Sequence, residues 1–302
     1  VPVPFPASAV DPERCGAARA EAFLEWFGER QRDLPWRHTR DPWAVLVSEL
    51  MLQQTQVARV LPRYEEFLVR WPTPTALARA SAGDVVSAWA GLGYNRRAVN
   101  LHRCATAVVA DHGGRLPAAL RELLALPGVG PYTARAVQAF ALERDVGVVD
   151  TNAARVLARW AGRSLRPTEV QTAADAAVPA GKGWAWNQAM LDLGATVCGS
   201  RSPHCHACPV STWCAWHEAG HRAPDPAVGS AGVSGGQSRF EGSDRQGRGR
   251  LVDALRRRPV SPGDLASVMG WPDAPDRAAR VAATVIADGL AVAGHAGFLQ
   301  LP

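Results

Sequence analysis

Four cysteines are packed into one short stretch, as Cys198-x6-Cys205-x2-Cys208-x5-Cys214. Thiolates this close in a chain without a secretion signal suit a metal better than disulfides. Zinc is the generic alternative, since four-cysteine zinc sites also use C-x2-C pairs. Only one pair here has that spacing, and the outer gaps of six and five leave a wide loop better suited to a four-iron cubane. His204 and His206 lie inside the loop and read as solvated polar residues, because four cysteines already complete a ligand set. Cys15 and Cys104 stand alone and read as small buried hydrophobes.

Two carboxylates stand out for their settings. Glu49 is isolated in the apolar run Val45-Leu-Val-Ser-Glu-Leu-Met-Leu52. Held in a pocket, it would have a raised pKa and be prepared to donate a proton. Asp150 precedes Thr151-Asn152-Ala-Ala-Arg-Val, where it is expected to cap a helix and to stay ionised through amide hydrogen bonds and the helix dipole. One carboxyl kept neutral and one kept charged is the division expected of a general acid with an electrostatic partner. A third feature is the string Leu126-Pro-Gly-Val-Gly-Pro-Tyr-Thr-Ala134. Gly128 and Gly130 permit a tight turn that leaves amides, with that of Val129 between them, facing outward at a helix N-terminus. That arrangement binds anions such as a DNA phosphate.

The elements that must position these groups are helical. An amphipathic helix around Leu24, Trp26 and Phe27 opens the series. Apolar periodicity and Gly/Pro punctuation then predict helices over 42–54, 57–71, 83–90, 96–111, 118–125, 132–141, 151–161, 169–178 and 184–197. No alternating strand appears in this part, so residues 1–223 are expected to form an all-α catalytic region. Residues 224–250, rich in Gly, Ser, Pro and Arg, read as a flexible linker. Residues 251–302 read as a small α+β, winged-helix-like module, with helices over 251–257, 262–269 and 274–288 and two short strands around Gly294–Gly297.

Composition sets outer bounds. With 302 residues, 47% hydrophobic and 20% charged, the chain is neither disordered nor fibrous. No apolar run is long enough for a membrane helix, and the Pro-rich segment Val1–Val10 lacks the pattern of a secretion signal. The expected setting is cytoplasmic. The net charge of +5 makes nucleic acid the first partner to test. Of the 33 basic residues only Lys182 is a lysine, which removes nearly every lysine nucleophile.

Taken together, the motifs resemble the helix-hairpin-helix base-excision DNA glycosylase superfamily, and within it the MutY-type adenine glycosylases. The resemblance spans about residues 15–220. It rests on Leu34-Pro-Trp-Arg37, Ser48-Glu-Leu-Met-Leu-Gln-Gln-Thr-Gln-Val57, Gly91-Leu-Gly-Tyr94, Leu126-Pro-Gly-Val-Gly130, Val149-Asp-Thr-Asn152 and the four cysteines. It implies that Glu49 protonates adenine at N7 and that Asp150 stabilises the cationic sugar, with Tyr132 and Asn152 supporting that centre. Gln188 is implied to face the flipped adenine. Gln54, Thr55 and Tyr94 are implied to fill the vacated stack, with Trp36 and Arg37 also at the substrate. A [4Fe–4S] cluster on Cys198, Cys205, Cys208 and Cys214 is implied as well.

The resemblance further implies a monomer, bacterial-type and associated with the nucleoid when acting, that binds double-stranded DNA carrying A:8-oxoguanine or A:G mispairs. Tyr132 falls where the strand-cutting endonuclease III branch carries its lysine nucleophile, so a base-release reaction without lyase chemistry is expected. A thymine or uracil mismatch glycosylase, or a non-catalytic cluster protein that binds DNA, are the competing expectations. Many MutY-type enzymes end in a larger Nudix-like domain that recognises 8-oxoguanine. The module after residue 250 is much smaller.

Overall fold

Why the helices start and stop where they do is written in their caps. The computed structural model describes residues 12–233 and 239–302; the segment Val1–Val10 lies outside them. In chain order the helices are α1 (Pro12–Arg30), α2 (Pro42–Leu52), α3 (Val57–Arg70), α4 (Pro74–Ala78), α5 (Ala82–Ala88), α6 (Arg96–His112), α7 (Leu120–Ala125) and α8 (Pro131–Phe140). They continue with α9 (Thr151–Ala161), α10 (Pro167–Ala177), α11 (Gly183–Thr196), α12 (Ala215–Glu218), α13 (Asp244–Leu255), α14 (Leu265–Met269) and α15 (Pro275–Ala287). Asp41, Thr73, Ser81, Asp150 and Ser243 each accept a hydrogen bond from a first-turn amide. Gly113, Gly162 and Gly270 close α6, α9 and α14 in the left-handed conformation.

The chain divides into two compact units, each made of two stretches of sequence: residues 1–40 with 134–235, and residues 41–133 with 236–302. In the first unit α9 is the central element, packed by α10, α11 and α12, while α1 covers α11. Phe23, Trp160 and Trp186 form its aromatic centre, Phe23 meeting Trp186 edge-on at 5.0 Å and Trp160 at 5.8 Å. Gly194 of α11 lies against the start of α9; a Cβ there would sit 2.5 Å from Asn152 Cβ. In the second unit α2 packs on α3 and α6, and α4 and α5 pack on α6. Every residue of α2 from Trp43 to Met51 is buried.

The last quarter of the chain belongs to this second unit. Helices α13, α14 and α15 pack together, followed by β1 (Val292–Ala293) and β2 (Leu299–Gln300), antiparallel with Val292 opposite Gln300. This matches the expected three helices and hairpin. Arg256 donates to the Val86 carbonyl at 2.9 Å and to Asn95 Oδ1 at 2.9 Å, and the Gly83 amide donates to the Pro302 carbonyl. The module is thus tied to α5 and the loop before α6.

The expected linker over 224–250 needs correction at both ends. Asp225 pairs with Arg159, Ser230 Oγ accepts from the Leu165 amide, and Ala227 and Ser230 are buried. Polar side chains that find buried partners order a segment that few apolar residues would hold. At the other end Ser243 caps α13, which therefore begins at Asp244, not at Leu251. The helix α4 was not expected from the sequence, because five residues are too few to display a period.

The close approach of α11 to α9 predicts that Gly194→Ala destabilises the protein by about 1–3 kcal/mol, since an added methyl has no space. A denaturant midpoint unchanged from the parent would contradict this packing.

Candidate functional site

The expected site residues fall into two groups, one in each unit. In the first, Asp150 sits at the N-terminus of α9, its Oδ1 accepting from the Ala153 amide at 2.7 Å and its Oδ2 from Asn152 Nδ2 at 2.9 Å. Asn152 in turn accepts at Oδ1 from Arg155 at 2.8 Å. Arg155, 5% exposed, also donates to the carbonyls of Cys198 at 2.8 Å and Gly194 at 2.6 Å. A continuous hydrogen-bonded path therefore joins the Asp150 carboxylate to the backbone of the cysteine loop. Gln188 is buried on α11.

The amide bonds expected to keep Asp150 ionised are present, but they act against its burial. Burial pushes its pKa up, and the bonds from Ala153 and Asn152 oppose that rise without cancelling it. Trp36 and Arg37 are both buried in the turn Pro35–Arg37, and Arg37 makes a two-pronged pair with Asp192 at 2.8 Å on each arm. Arg32 adds two more bonds to that carboxylate, from its backbone amide and from its side chain. Burial works against the Asp192 carboxylate, but the Arg37 and Arg32 guanidiniums prevail and hold its pKa below the usual range. Arg37 thus anchors the segment after α1.

The four cysteines line one small cavity together with Arg159 and Trp216. Burial pushes the Cys208 thiol up to about 12, and the neighbouring sulfurs push the same way. Thiolates crowded in this manner call for a cationic centre. A tetrahedral zinc at about 2.3 Å from each sulfur needs sulfurs about 3.8 Å apart. Among the described residues, the group of three ligand atoms all within 4.8 Å is Cys205, His217 and His221, and not three of the four thiols. The donor set is all thiol and wider than zinc requires, which fits a multi-iron cluster. Arg159, 1% exposed, donates to Cys198 Sγ at 3.2 Å and to the Gly199 carbonyl at 2.7 Å, while Cys214 Sγ donates to the Arg159 carbonyl oxygen.

The second group belongs to the second unit. Glu49 is 5% exposed on α2, so the pocket setting and not the exposed face is the one realised. Gln54 and Tyr94 have left-handed backbones, with φ of 54° and 45°. Such strain in non-glycine residues marks loops held in place by their surroundings. Here Arg97 does the holding. It is 7% exposed and donates to the carbonyls of Leu50 at 2.7 Å, Met51 at 2.8 Å, Gln53 at 2.6 Å and Gly93 at 3.0 Å, and to Thr55 Oγ1 at 2.8 Å. Burial lowers its pKa to about 10. Gln53 Nε2 donates to Thr133 Oγ1 at 3.2 Å, joining this segment to the first turn of α8, where Tyr132 is half-buried.

In the hairpin, Gly128 has φ 79° and passes so close to Asn100 that a Cβ would lie 2.7 Å from its Cβ. The Val129 amide is not turned outward, because it donates to the Leu126 carbonyl at 3.1 Å. Arg97, Arg155, Arg159 and Asp192 were missed by sequence reasoning. The four-residue steps along α9 could have flagged Arg155 and Arg159, whereas nothing near Arg97 in sequence names its partners.

With this geometry in hand, relatives can be placed. A model of the HhH-GPD superfamily of base excision DNA repair proteins matches residues 47–180. The adenine DNA glycosylase of Mycobacterium tuberculosis (strain ATCC 25618 / H37Rv) is 43% identical over 290 residues, 92% of this chain and 92% of that protein. That of Mycolicibacterium smegmatis is 40% identical over 88% of this chain and 90% of its own. Among solved structures, a thermostable thymine-DNA glycosylase superposes with a TM-score of 0.64 and 30% identity, over 68% of this chain and 98% of that chain. Fold and site therefore define a helix-hairpin-helix protein of base-excision repair. Within that class, the chain belongs to the adenine DNA glycosylase family.

The Arg97 network predicts that Arg97→Met costs about 2–4 kcal/mol, since several buried carbonyls lose their donor at once. Arg97→Lys, with fewer and less spread donors, should lie between the two. Equal urea midpoints for the three proteins would refute this role.

Proposed function

We propose that this DNA N-glycosylase of base-excision repair removes adenine paired with 8-oxoguanine or guanine, by flipping the nucleotide and hydrolysing its N-glycosidic bond. The observation that carries the chemistry is the pair of carboxylates, Glu49 buried on an apolar helix and Asp150 half-buried at a helix N-terminus. The target atom is inaccessible inside a duplex, so the nucleotide must leave the stack. Gln54, Thr55 and Tyr94, on the segment braced by Arg97, occupy the gap and face the opposite base. Gln188 supplies an amide to the edge of the extruded adenine.

Glu49 then gives a proton to adenine N7, and the base departs as a neutral leaving group. The sugar left behind is cationic. Asp150, desolvated and oriented by Ala153 and Asn152, faces that charge, where low dielectric makes the attraction strong. Water adds to the anomeric carbon and returns a proton to the Glu49 carboxylate, and Tyr132 supports the centre. Tyr132 is not a lysine, so no amine is supplied for a Schiff base and the reaction ends at the abasic site. The hairpin opening α8, with Gly128 and Gly130 and without the inward Val129 amide, holds a backbone phosphate. Cys198, Cys205, Cys208 and Cys214 hold a [4Fe–4S] cluster, whose chemistry here is to bind and shape its loop.

Duplexes carrying adenine, thymine or uracil opposite guanine and 8-oxoguanine test the reading; release of thymine or uracil in preference to adenine would overturn it. Glu49→Gln is expected to slow adenine release by at least ~10²-fold with duplex binding preserved. The acid limb of the single-turnover rate should lie above the usual carboxylate value of about 3.9, because burial raises Asp150 and its charged form is the one required. Asn152→Ala removes a bond that lowers that pKa and so should move the limb further up. Stability has the opposite sense: protonated Asp150 favours the fold at low pH, and that contribution is lost as pH rises through the raised value. Asp150→Asn should therefore gain on the parent in stability as pH rises, even as its activity falls.

The metal assignment has its own check. Anaerobically purified protein should carry about four irons per chain, and stoichiometric zinc without iron would refute it.

A further inference from the structure

Cys205, His217 and His221 each bring a ligand atom within 4.8 Å of the other two. The two ring nitrogens, His217 Nδ1 and His221 Nε2, stand 3.1 Å apart. A tetrahedral ion at about 2.0–2.1 Å from two imidazole nitrogens holds them ~3.3 Å apart, and a sulfur at about 2.3 Å then lies ~3.6 Å from each. The rings already have this separation. The thiol has at most ~1.2 Å to close.

The convergence of the rings is built locally. Helix α12 stops after one turn, and Gly220 and His221 follow in the left-handed conformation, with φ of 69° and 60°. The His221 amide donates to the Trp216 carbonyl at 2.9 Å, which folds the chain back on the helix. A left-handed backbone is unfavourable for a residue with a Cβ and persists only when its surroundings hold it. Here the Trp216 ring meets the His221 ring at 4.7 Å and donates through Nε1 to the Arg222 carbonyl at 2.9 Å. His204 and His206, with ring centroids 6.0 Å apart, do not join the group.

Cys205 also differs from its neighbours. Cys198 and Cys214 are each hydrogen-bonded to Arg159, and Cys205 takes part in neither bond. Cys205 and His217 are half-buried and His221 is exposed, so solvent reaches the three. Two imidazoles and one thiolate, with a fourth position open to water, suit a borderline divalent ion such as zinc or cobalt.

We propose that Cys205, His217 and His221 form a site for one divalent transition-metal ion, and that filling it keeps the iron–sulfur cluster from forming. The proposal rests on the reading of Cys205 as a cluster ligand, since a terminal thiolate serves one metal at a time. Binding releases the thiol proton to solvent, and water takes the fourth position. The balance of zinc and iron during synthesis thereby decides which chains are loaded with the cluster.

The full chain is produced at fixed iron with increasing zinc, and its metal content is measured after anaerobic purification. Without added zinc, His217→Ala and His221→Ala should carry about four irons, as the parent does. At the zinc level where the parent has lost most of its iron, it should hold one zinc per chain. The two variants should then hold at least ~tenfold less zinc and keep their iron. His204→Ala and His206→Ala should follow the parent. Cobalt(II) supplied in place of zinc should show the sulfur-to-metal absorption of a single thiolate. A parent that gains zinc without losing iron would overturn the proposal, as would variants that lose iron at the same zinc level. A cobalt spectrum of four thiolates would place the ion among the cysteines and overturn it too. A histidine variant without iron in unsupplemented medium would assign the ring to the cluster itself and overturn the exclusion. A parent without iron in that medium would fail the cluster assignment, while the single-thiolate cobalt signal still scores the three-residue site.

Discussion

Two guanidiniums buried one helical turn apart on α9, Arg155 and Arg159, set the terms for the first unit. A cation in low dielectric is tolerated only when its donors are matched. Arg155 takes the carbonyls of Gly194 and Cys198 and the amide oxygen of Asn152. Arg159 takes the Gly199 carbonyl, the Cys198 sulfur and the Asp225 carboxylate, the last at 2.6 Å. Satisfying these two residues wraps the cysteine loop around α9. It also draws the segment around Asp225 onto the unit and aligns Asn152 with Asp150.

The second unit uses the same device once more. Arg97 has no carboxylate among its hydrogen-bond partners there; its acceptors are carbonyls at the end of α2 and in the loop before α6, with Thr55 beside them. Carbonyls at a helix C-terminus carry partial negative charge and lack partners within the helix. One planar group with five donors can serve several of them, which a lysine ammonium cannot. The near-absence of lysine from this chain thus has a structural side: at least three arginines occupy positions where the guanidinium shape is required.

Buried charge also frames the chemistry. Asp150 is raised by burial and held in orientation by its cap bonds, so the cost of desolvation falls on a carboxylate whose geometry is fixed. Glu49 lies among apolar neighbours on α2, whose residues from Trp43 to Met51 are all buried. Both carboxylates owe their environments to helices whose own packing is apolar.

The sequence by itself determined most of the helices and named the candidate positions for chemistry. Local signals carry both: caps such as Asp150 and Ser81, glycine stops at 113 and 162, apolar periodicity, and cysteine spacing. It also placed the three helices and hairpin at the end of the chain, where periodicity and turn residues suffice. Only the tertiary structure decided which polar residues are buried against which. Arg37 looks like a substrate contact in sequence and also pairs with Asp192, 155 residues away. The segment near Asp225 looks like a linker and is fastened by Arg159, 66 residues away. Arg97 shows nothing in its own neighbourhood of the carbonyls it gathers from residues 50 to 53. Local pattern records the backbone geometry and apolar face of a residue. The pairing of buried charge depends on which distant groups the packed helices bring within hydrogen-bond reach.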